Sequence, residues 1–272
     1  MPCYLVSERR EIEHLSSELT LKQRIAAGPV LCGPSLVGMS PAVVECAGLA
    51  GCDFVWIEVE HSGIDMMQLE HMCRAAELHD VLPLARVADG SRPSVLRTLE
   101  AGAKIVLVPQ IHTPEQAAAV AEYGKFPPLG KRGYNTGSRG LGYGALAPTP
   151  AEVFETANRE TVLMVQIESV QAFQNVEAIA AVEGVDGLFF GPGDMSADMG
   201  IAAQWDNEEL IGVGERVIQV ARANDKIASS TCPTDEMARR WKAAGVNMLI
   251  AGGDLGLLRL ALVDKLQQIR EL

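Results

Sequence analysis

Hydrophobic residues along the chain gather in short runs separated by stretches of a different period. The runs are PVLCG (29–33), DFVWIEVE (53–60), VLPLARV (81–87), KIVLVPQI (104–111), TVLMVQIES (161–169), GLFFGPGD (187–194), KIASSTC (226–232) and NMLIAGGD (247–254). Each is rich in β-branched and aromatic residues and has the length of a buried strand. Between them lie stretches of helical period, such as MMQLEHMCRAAELH, RPSVLRTLEAGA, TPEQAAAVAEYG, AFQNVEAIAAVEG, EELIGVGERVIQVARAN and TDEMARRWKAAG. Several close on Gly, the residue that helix C-termini prefer. Near-continuous apolar strands that alternate with helices imply a parallel sheet covered by helices. Eight such units predict a closed (β/α)8 TIM barrel rather than an open doubly wound sheet.

The length of 272 residues, 48% of them hydrophobic, suits one such domain, since an α/β barrel uses about 250 residues. The chain therefore reads as a single barrel domain over 1–272, with residues 1–20 as an N-terminal extension. One stretch breaks the rhythm. From 123 to 150 the chain is dense in Gly, Pro and Arg without helical period, which predicts a long loop, either a functional one or a variable surface one. The last stretch, DLGLLRLALVDKLQQIREL, is apolar on more than one side. That suits either an ordinary barrel helix or a helix docked on, and exchanged with, a second subunit of a homo-oligomer.

A formal net charge of −12 repels phosphate backbones and anionic membranes, which argues against a nucleic-acid partner. The six cysteines (Cys3, Cys32, Cys46, Cys52, Cys73 and Cys232) show no C-x-x-C spacing and read as reduced, buried thiols of a cytoplasmic protein. No signal-peptide core and no run of about 18 apolar residues is seen, which predicts no membrane anchor.

In a barrel of this kind, chemistry sits where the strands end and the βα loops converge. The second run ends in Glu58, Glu60 and His61, the third carries Arg86, the fifth has Gln166, Glu168 and Ser169, and the sixth ends in Gly191, Pro192, Gly193 and Asp194. The strand period of two puts Gln166 and Glu168 on one face and Ile167 on the other. Asp194 ends the neighbouring run, so two carboxylates can share one hard cation, Mg²⁺ or Mn²⁺. With no His or Cys beside them, structural zinc is disfavoured. Each acid can equally be a salt-bridged strand-end carboxylate. Arg86 either pairs with an acid or faces the mouth and meets an anion, and a lone strand-end His61 is often structural. The Gly-rich GPGD turn frees backbone N–H groups for a ligand carboxylate. GLGYG (140–144) neither follows a strand nor opens a helix and is no dinucleotide fingerprint. Lys104 starts its strand, at the wrong end for a Schiff base.

Taken in order, EVEH (58–61), PLARV (83–87), LEAGAKIVLVP (99–109), KFPPLGKRGY (125–134), VQIES (165–169) and VEGVDGLFFGPGDMS (182–196) resemble the HpcH/HpaI aldolase family from about Leu21 onward. The resemblance implies a class II, divalent-metal-dependent lyase that makes or cleaves 4-hydroxy-2-oxo acids from an aldehyde and a pyruvate enolate. It implies Mg²⁺, Mn²⁺ or Co²⁺ held by Glu168 and Asp194, and a pyruvyl group surrounded by Gln166 and the backbone of Gly191, Pro192, Gly193 and Asp194. Arg86 would stabilise the enolate oxygen, and His61 with an acidic partner would move protons. It also implies a hexamer built as a trimer of dimers with exchanged C-terminal helices. The chain departs from the pattern twice, with Glu58 and Glu100 where the family usually has Asp, so the acceptor side of the site is expected to differ. Two other readings remain beside it: an oxaloacetate decarboxylase or other enolate condensation enzyme on the same scaffold, and a non-catalytic barrel that binds a 2-oxo acid.

Overall fold

The computed structural model describes residues 19–272. The expected N-terminal extension, apart from Leu19 and Thr20, lies outside the described residues, as does Cys3. A short helix α1 (Leu21–Ala27) leads into eight strands: β1 (Leu31–Leu36), β2 (Phe54–Glu58), β3 (Leu82–Arg86), β4 (Ile105–Val108), β5 (Val162–Ile167), β6 (Gly187–Phe190), β7 (Ile227–Thr231) and β8 (Met248–Gly253). They pair in sequence order, all parallel, and β8 closes on β1. The (β/α)8 barrel expected from the hydrophobic pattern is the fold.

Alternation along the strands divides the interior into two cores. Phe54, Trp56, Leu84, Ile105, Leu107, Met164, Phe189 and Met248 point inward and fill the barrel, joined from below by Leu21 and Ile25 of α1. Val55, Ile57, Ala85, Val106, Val165, Ile167, Leu188 and Phe190 point outward under the helices. The helices are α2 (Pro41–Leu49), α3 (Met66–Leu78), α4 (Arg92–Ala101), α5 (Pro114–Gly124), α6 (Pro150–Glu160), α7 (Val170–Gln174), α8 (Val176–Ala180), α9 (Pro192–Asp198), α10 (Glu208–Ala223), α11 (Asp235–Ala244) and α12 (Asp254–Arg270). Several start on side-chain caps: Asp65 with Gln68, Thr113 with Gln116 and Thr149 with Glu152 form reciprocal capping boxes, which satisfy N–H groups that a helix start leaves bare.

The structure differs from the sequence reading at several elements. The single helix expected over AFQNVEAIAAVEG is two short ones, α7 and α8, broken at Asn175, whose side chain donates to His112 O at 2.8 Å. The loop from 123 to 150 contains the end of α5 and a 3₁₀ turn (Arg139–Gly144) with left-handed Gly142 and Tyr143. The second, fourth and sixth strands are shorter than their apolar runs, ending at Glu58, Val108 and Phe190. Asp194 consequently sits in the first turn of α9 rather than at a strand end.

The cysteines are also not uniformly buried. Cys73 is, but Cys32 and Cys46 are exposed, and none of the five within the described residues forms a disulfide. Cys32 lies on β1, and α12, the helix that follows β8, has no buried residue at all. Its Leu255, Leu258, Leu260, Leu262, Val263 and Ile269 are each about half exposed. Among the described residues no helix is long and apolar enough to cross a membrane.

One close helix–barrel approach has a glycine in it. A Cβ on Gly214 of α10 would stand 2.3 Å from Trp241 Cη2 and 2.7 Å from Phe190 Cε1, two buried rings packed edge to face. Ala is the better helix former by about 1 kcal/mol, whereas overpacking costs about 1–3 kcal/mol. Gly214→Ala is therefore expected to lower stability in urea unfolding, and a more stable variant would show that α10 can move away freely.

Candidate active site

The inward-facing positions change character as the strands rise. Trp56 is followed two residues on by Glu58, Leu84 by Arg86, and Met164 by Gln166 and then Glu168, so an apolar filling gives way to polar groups at the C-terminal mouth. Ile167, between the last two, packs in the outer core, as the period of two requires.

Glu58 and Arg86 are direct partners across β2 and β3. Arg86 Nε donates to Glu58 Oε2 at 2.7 Å, and both side chains are nearly buried. The other oxygen, Glu58 Oε1, accepts the backbone N–H groups of Glu60 (2.7 Å) and His61 (2.9 Å). Both Glu58 oxygens are thus engaged, and the carboxylate fixes the start of the β2 loop and the Arg86 stem together. Glu60 Oε2 lies 3.2 Å from the same Arg86 Nε. The guanidinium stacks over Trp56 with Cζ 4.8 Å from the ring centroid, a cation–π contact in a desolvated place. Held through Nε, Arg86 keeps its two terminal nitrogens for another acceptor. His61 is mostly exposed, with Nε2 3.7 Å from Glu60 Oε2.

On the far side, Glu168 is 2% exposed. Its Oε1 accepts the Gln110 N–H at 2.8 Å and its Oε2 accepts Gln166 Nε2. Burial pushes the Glu168 carboxyl up to about 7; the adjacent Asp194 charge adds to the shift, while the Gln110 N–H and Arg86 oppose it. Glu60 is also raised, again chiefly by burial and against the pull of Arg86. Gly191 is required by proximity: a Cβ there would fall 2.8 Å from Gln166 Nε2 and 2.9 Å from Glu168 Cβ. Its N–H donates to Ile167 O, and Pro192 has none, so in the GPGD turn only the Gly193 and Asp194 N–H groups stay available at the start of α9. Nothing within 4 Å would meet a Cβ on Gly193.

These groups form one mouth from Glu58, Glu60, His61, Arg86, Gln166, Glu168 and Asp194. Glu100 is not brought to it within the chain. It sits in the last turn of α4, on the order of 12 Å along the helix from its start at 1.5 Å per residue. There it is the acid nearest in effect to Arg132, whose buried guanidinium is lowered to about 10 by desolvation. The sequence reading missed Trp56 and Gln110. Trp56 was detectable, being two residues before Glu58 on the same face; the Gln110 contact is made by backbone and leaves no trace in residue type.

The donor set can be tested against a divalent cation. Among the described residues no group of three or more His, Cys, Asp or Glu is placed to hold a metal ion; the acids that could hold one are the pair Glu168 and Asp194. Two acids and no nitrogen or sulfur suit a hard, water-rich ion. Gln166 Oε1 is a buried acceptor without a hydrogen-bond donor among the described residues, which fits a cation and its water rather than an anion. The residues present fit the group.

Comparison with known proteins agrees with this architecture. A family model described as HpcH/HpaI aldolase/citrate lyase matches residues 35–261. The 2-keto-3-deoxy-L-rhamnonate aldolase of Escherichia coli (strain K12) is 32% identical over 250 residues, 92% of this chain and 92% of that protein. A solved HpcH/HpaI aldolase/citrate lyase family protein from Burkholderia cenocepacia J2315 is 30% identical with a TM-score of 0.84, covering 92% of this chain and 98% of its own. The citrate synthase SbnG is 27% identical with a TM-score of 0.83, covering 93% and 98%. With a family match over most of its length, on a barrel whose acids and arginine meet at one mouth, the chain belongs to the HpcH/HpaI aldolase/citrate lyase family.

Proposed function

We propose that the chain is a divalent-metal-dependent class II aldolase of the cytoplasm that forms and cleaves 4-hydroxy-2-oxo acids through a pyruvate enolate. The observation that carries this reading is the pairing of a buried Glu168 with an exposed neighbouring acid, Asp194, across from an arginine held through Nε alone. Glu168 and Asp194 would hold Mg²⁺, Mn²⁺ or Co²⁺, which when bound supplies Lewis acidity to the carboxylate and oxo oxygens of a 2-oxo acid.

The protein's own residues do the rest. The Gly193 and Asp194 N–H groups and the Gln166 amide orient the pyruvyl end. In the cleavage direction His61, with Glu60 beside it, takes the proton from the C4 hydroxyl. The C3–C4 bond breaks, C4 becomes the aldehyde carbonyl, and the electron pair moves to the C2 oxygen. There the Arg86 terminal nitrogens stabilise the enolate charge. Protonation of C3 then gives pyruvate. Glu58 serves by fixing Arg86 and the His61 backbone, and its extra methylene relative to Asp sets how far the β2 loop stands over the acceptor end.

A second reading is supported by the likeness to a citrate synthase: the same enolate formed from oxaloacetate by loss of CO₂, or condensed with another electrophile. Turnover of oxaloacetate faster than of any hydroxy-oxo acid would favour it. The half-exposed leucines of α12 further support exchange of this helix with a second copy, and assembly as a trimer of dimers.

Three outcomes are expected. A chelator should abolish cleavage of 4-hydroxy-2-oxo acids and Mn²⁺ or Mg²⁺ should restore it, while His61→Ala should slow the coupled pyruvate assay by about 10² to 10⁴; full activity after chelation would contradict the reading. Since Glu168 holds its proton up to about pH 7, the cation must displace that proton at lower pH, so its affinity in calorimetry should fall by about tenfold per unit below pH 7 and level off above it. Glu168→Gln should remove both the binding and this slope. Finally, truncation before Asp254 should reduce the assembly mass in light scattering or cause aggregation, and an unchanged mass would exclude helix exchange.

A further inference from the structure

The chain leaves β4 through a backbone conformation that its residue type does not favour. Gln110 has φ of +57°, the left-handed region that non-glycine residues seldom enter and that costs about 1 kcal/mol or more. Pro109 before it has no N–H, so the Gln110 N–H is the first donor beyond the strand. That donor does not continue the sheet ladder; it meets Glu168 Oε1 at 2.8 Å. The Gln110 side chain is exposed, so the contact with Glu168 is made by backbone alone.

The residues on either side explain why the turn is held. Ile111 is buried in the outer core. His112 is fixed three ways: Nδ1 lies 2.8 Å from Ser169 Oγ, its N–H donates to Gln116 Oε1 at 2.7 Å, and its carbonyl accepts from Asn175. Two residues separate Val108, the end of β4, from Ile111 in its seat. A left-handed residue at 110 makes that connection while leaving its N–H on Glu168.

We propose that Gln110 is a positioning residue for Glu168, acting through its left-handed backbone and not through its side chain. Its N–H and the Gln166 amide grip the two oxygens of Glu168 from either side, so one carboxylate orientation is fixed before a cation arrives. This rests on the reading of Glu168 as a metal ligand. It follows that position 110 is chosen by tolerance of positive φ. Glycine adopts it freely and asparagine readily, alanine poorly, and a β-branched residue worst.

The test is Mn²⁺ affinity of the full chain by electron paramagnetic resonance, with metal-free melting temperatures alongside. Gln110→Gly and Gln110→Asn should bind within about twofold of wild type, and Gln110→Val about ten- to a hundredfold more weakly, as when partners that orient a metal ligand are lost. Gln110→Ala should fall between them, and serves if the valine variant does not fold. Wild-type affinity in the alanine and valine variants would overturn the proposal. So would equal loss in glycine, asparagine and valine variants, which would assign the role to the side chain. A wild-type protein that binds no Mn²⁺ would overturn the metal reading and this proposal with it, whereas loss confined to the wrong variants overturns the proposal alone.

Discussion

Keeping one carboxylate in a water-poor place, with a second acid beside it, is the constraint around which the mouth of this barrel is arranged. Glu168 is almost fully buried and has Asp194 as its neighbour. Burial and like charge each disfavour ionisation, and the carboxyl responds by keeping its proton up to about pH 7. Two hydrogen bonds and the more distant Arg86 compensate only in part. A buried acid maintained at this cost is poorly explained as scaffolding, since an apolar side chain would fill the space more stably. It is well explained as a site that waits for positive charge.

Arg86 is organised by the opposite logic. Its positive charge is anchored at Nε by Glu58 and Glu60 and lies over the Trp56 ring, so its position is set without using the two terminal nitrogens. Fixing a donor before the reaction lets it stabilise charge as that charge forms, without reorganisation. The same Glu58 carboxylate holds the backbone at Glu60 and His61, which ties the start of the β2 loop to Arg86 through one side chain.

Much of this is legible in the residues themselves. All eight strands stand in the hydrophobic runs, because a strand buried on both faces must be apolar throughout. The pairing of Gln166 with Glu168 on one face follows from the strand period. Other features depend on backbone geometry that residue type does not encode. The sixth run looked like one strand through Asp194, but apolarity cannot tell a strand end from the glycine and proline turn into α9. Glu100 is singled out by its motif, and where α4 carries it within this chain, in the helix's last turn, is set by helix length rather than by residue type. The Gln110 contact is made by an N–H that every residue but proline possesses. Where α12 goes is likewise left open by the apolarity of that helix.

Enolate formation is the step on which the account depends, and it can be observed without any aldehyde. Wild-type protein with Mn²⁺ or Mg²⁺ and pyruvate alone in D₂O should exchange the pyruvate methyl protons, followed as loss of the methyl signal by proton NMR. Arg86→Ala should slow that exchange by about a hundredfold or more, the usual effect of losing one donor to a developing oxyanion. Exchange that persists undiminished in Arg86→Ala, or in metal-free protein, would contradict an enolate formed between Glu168, Asp194 and Arg86.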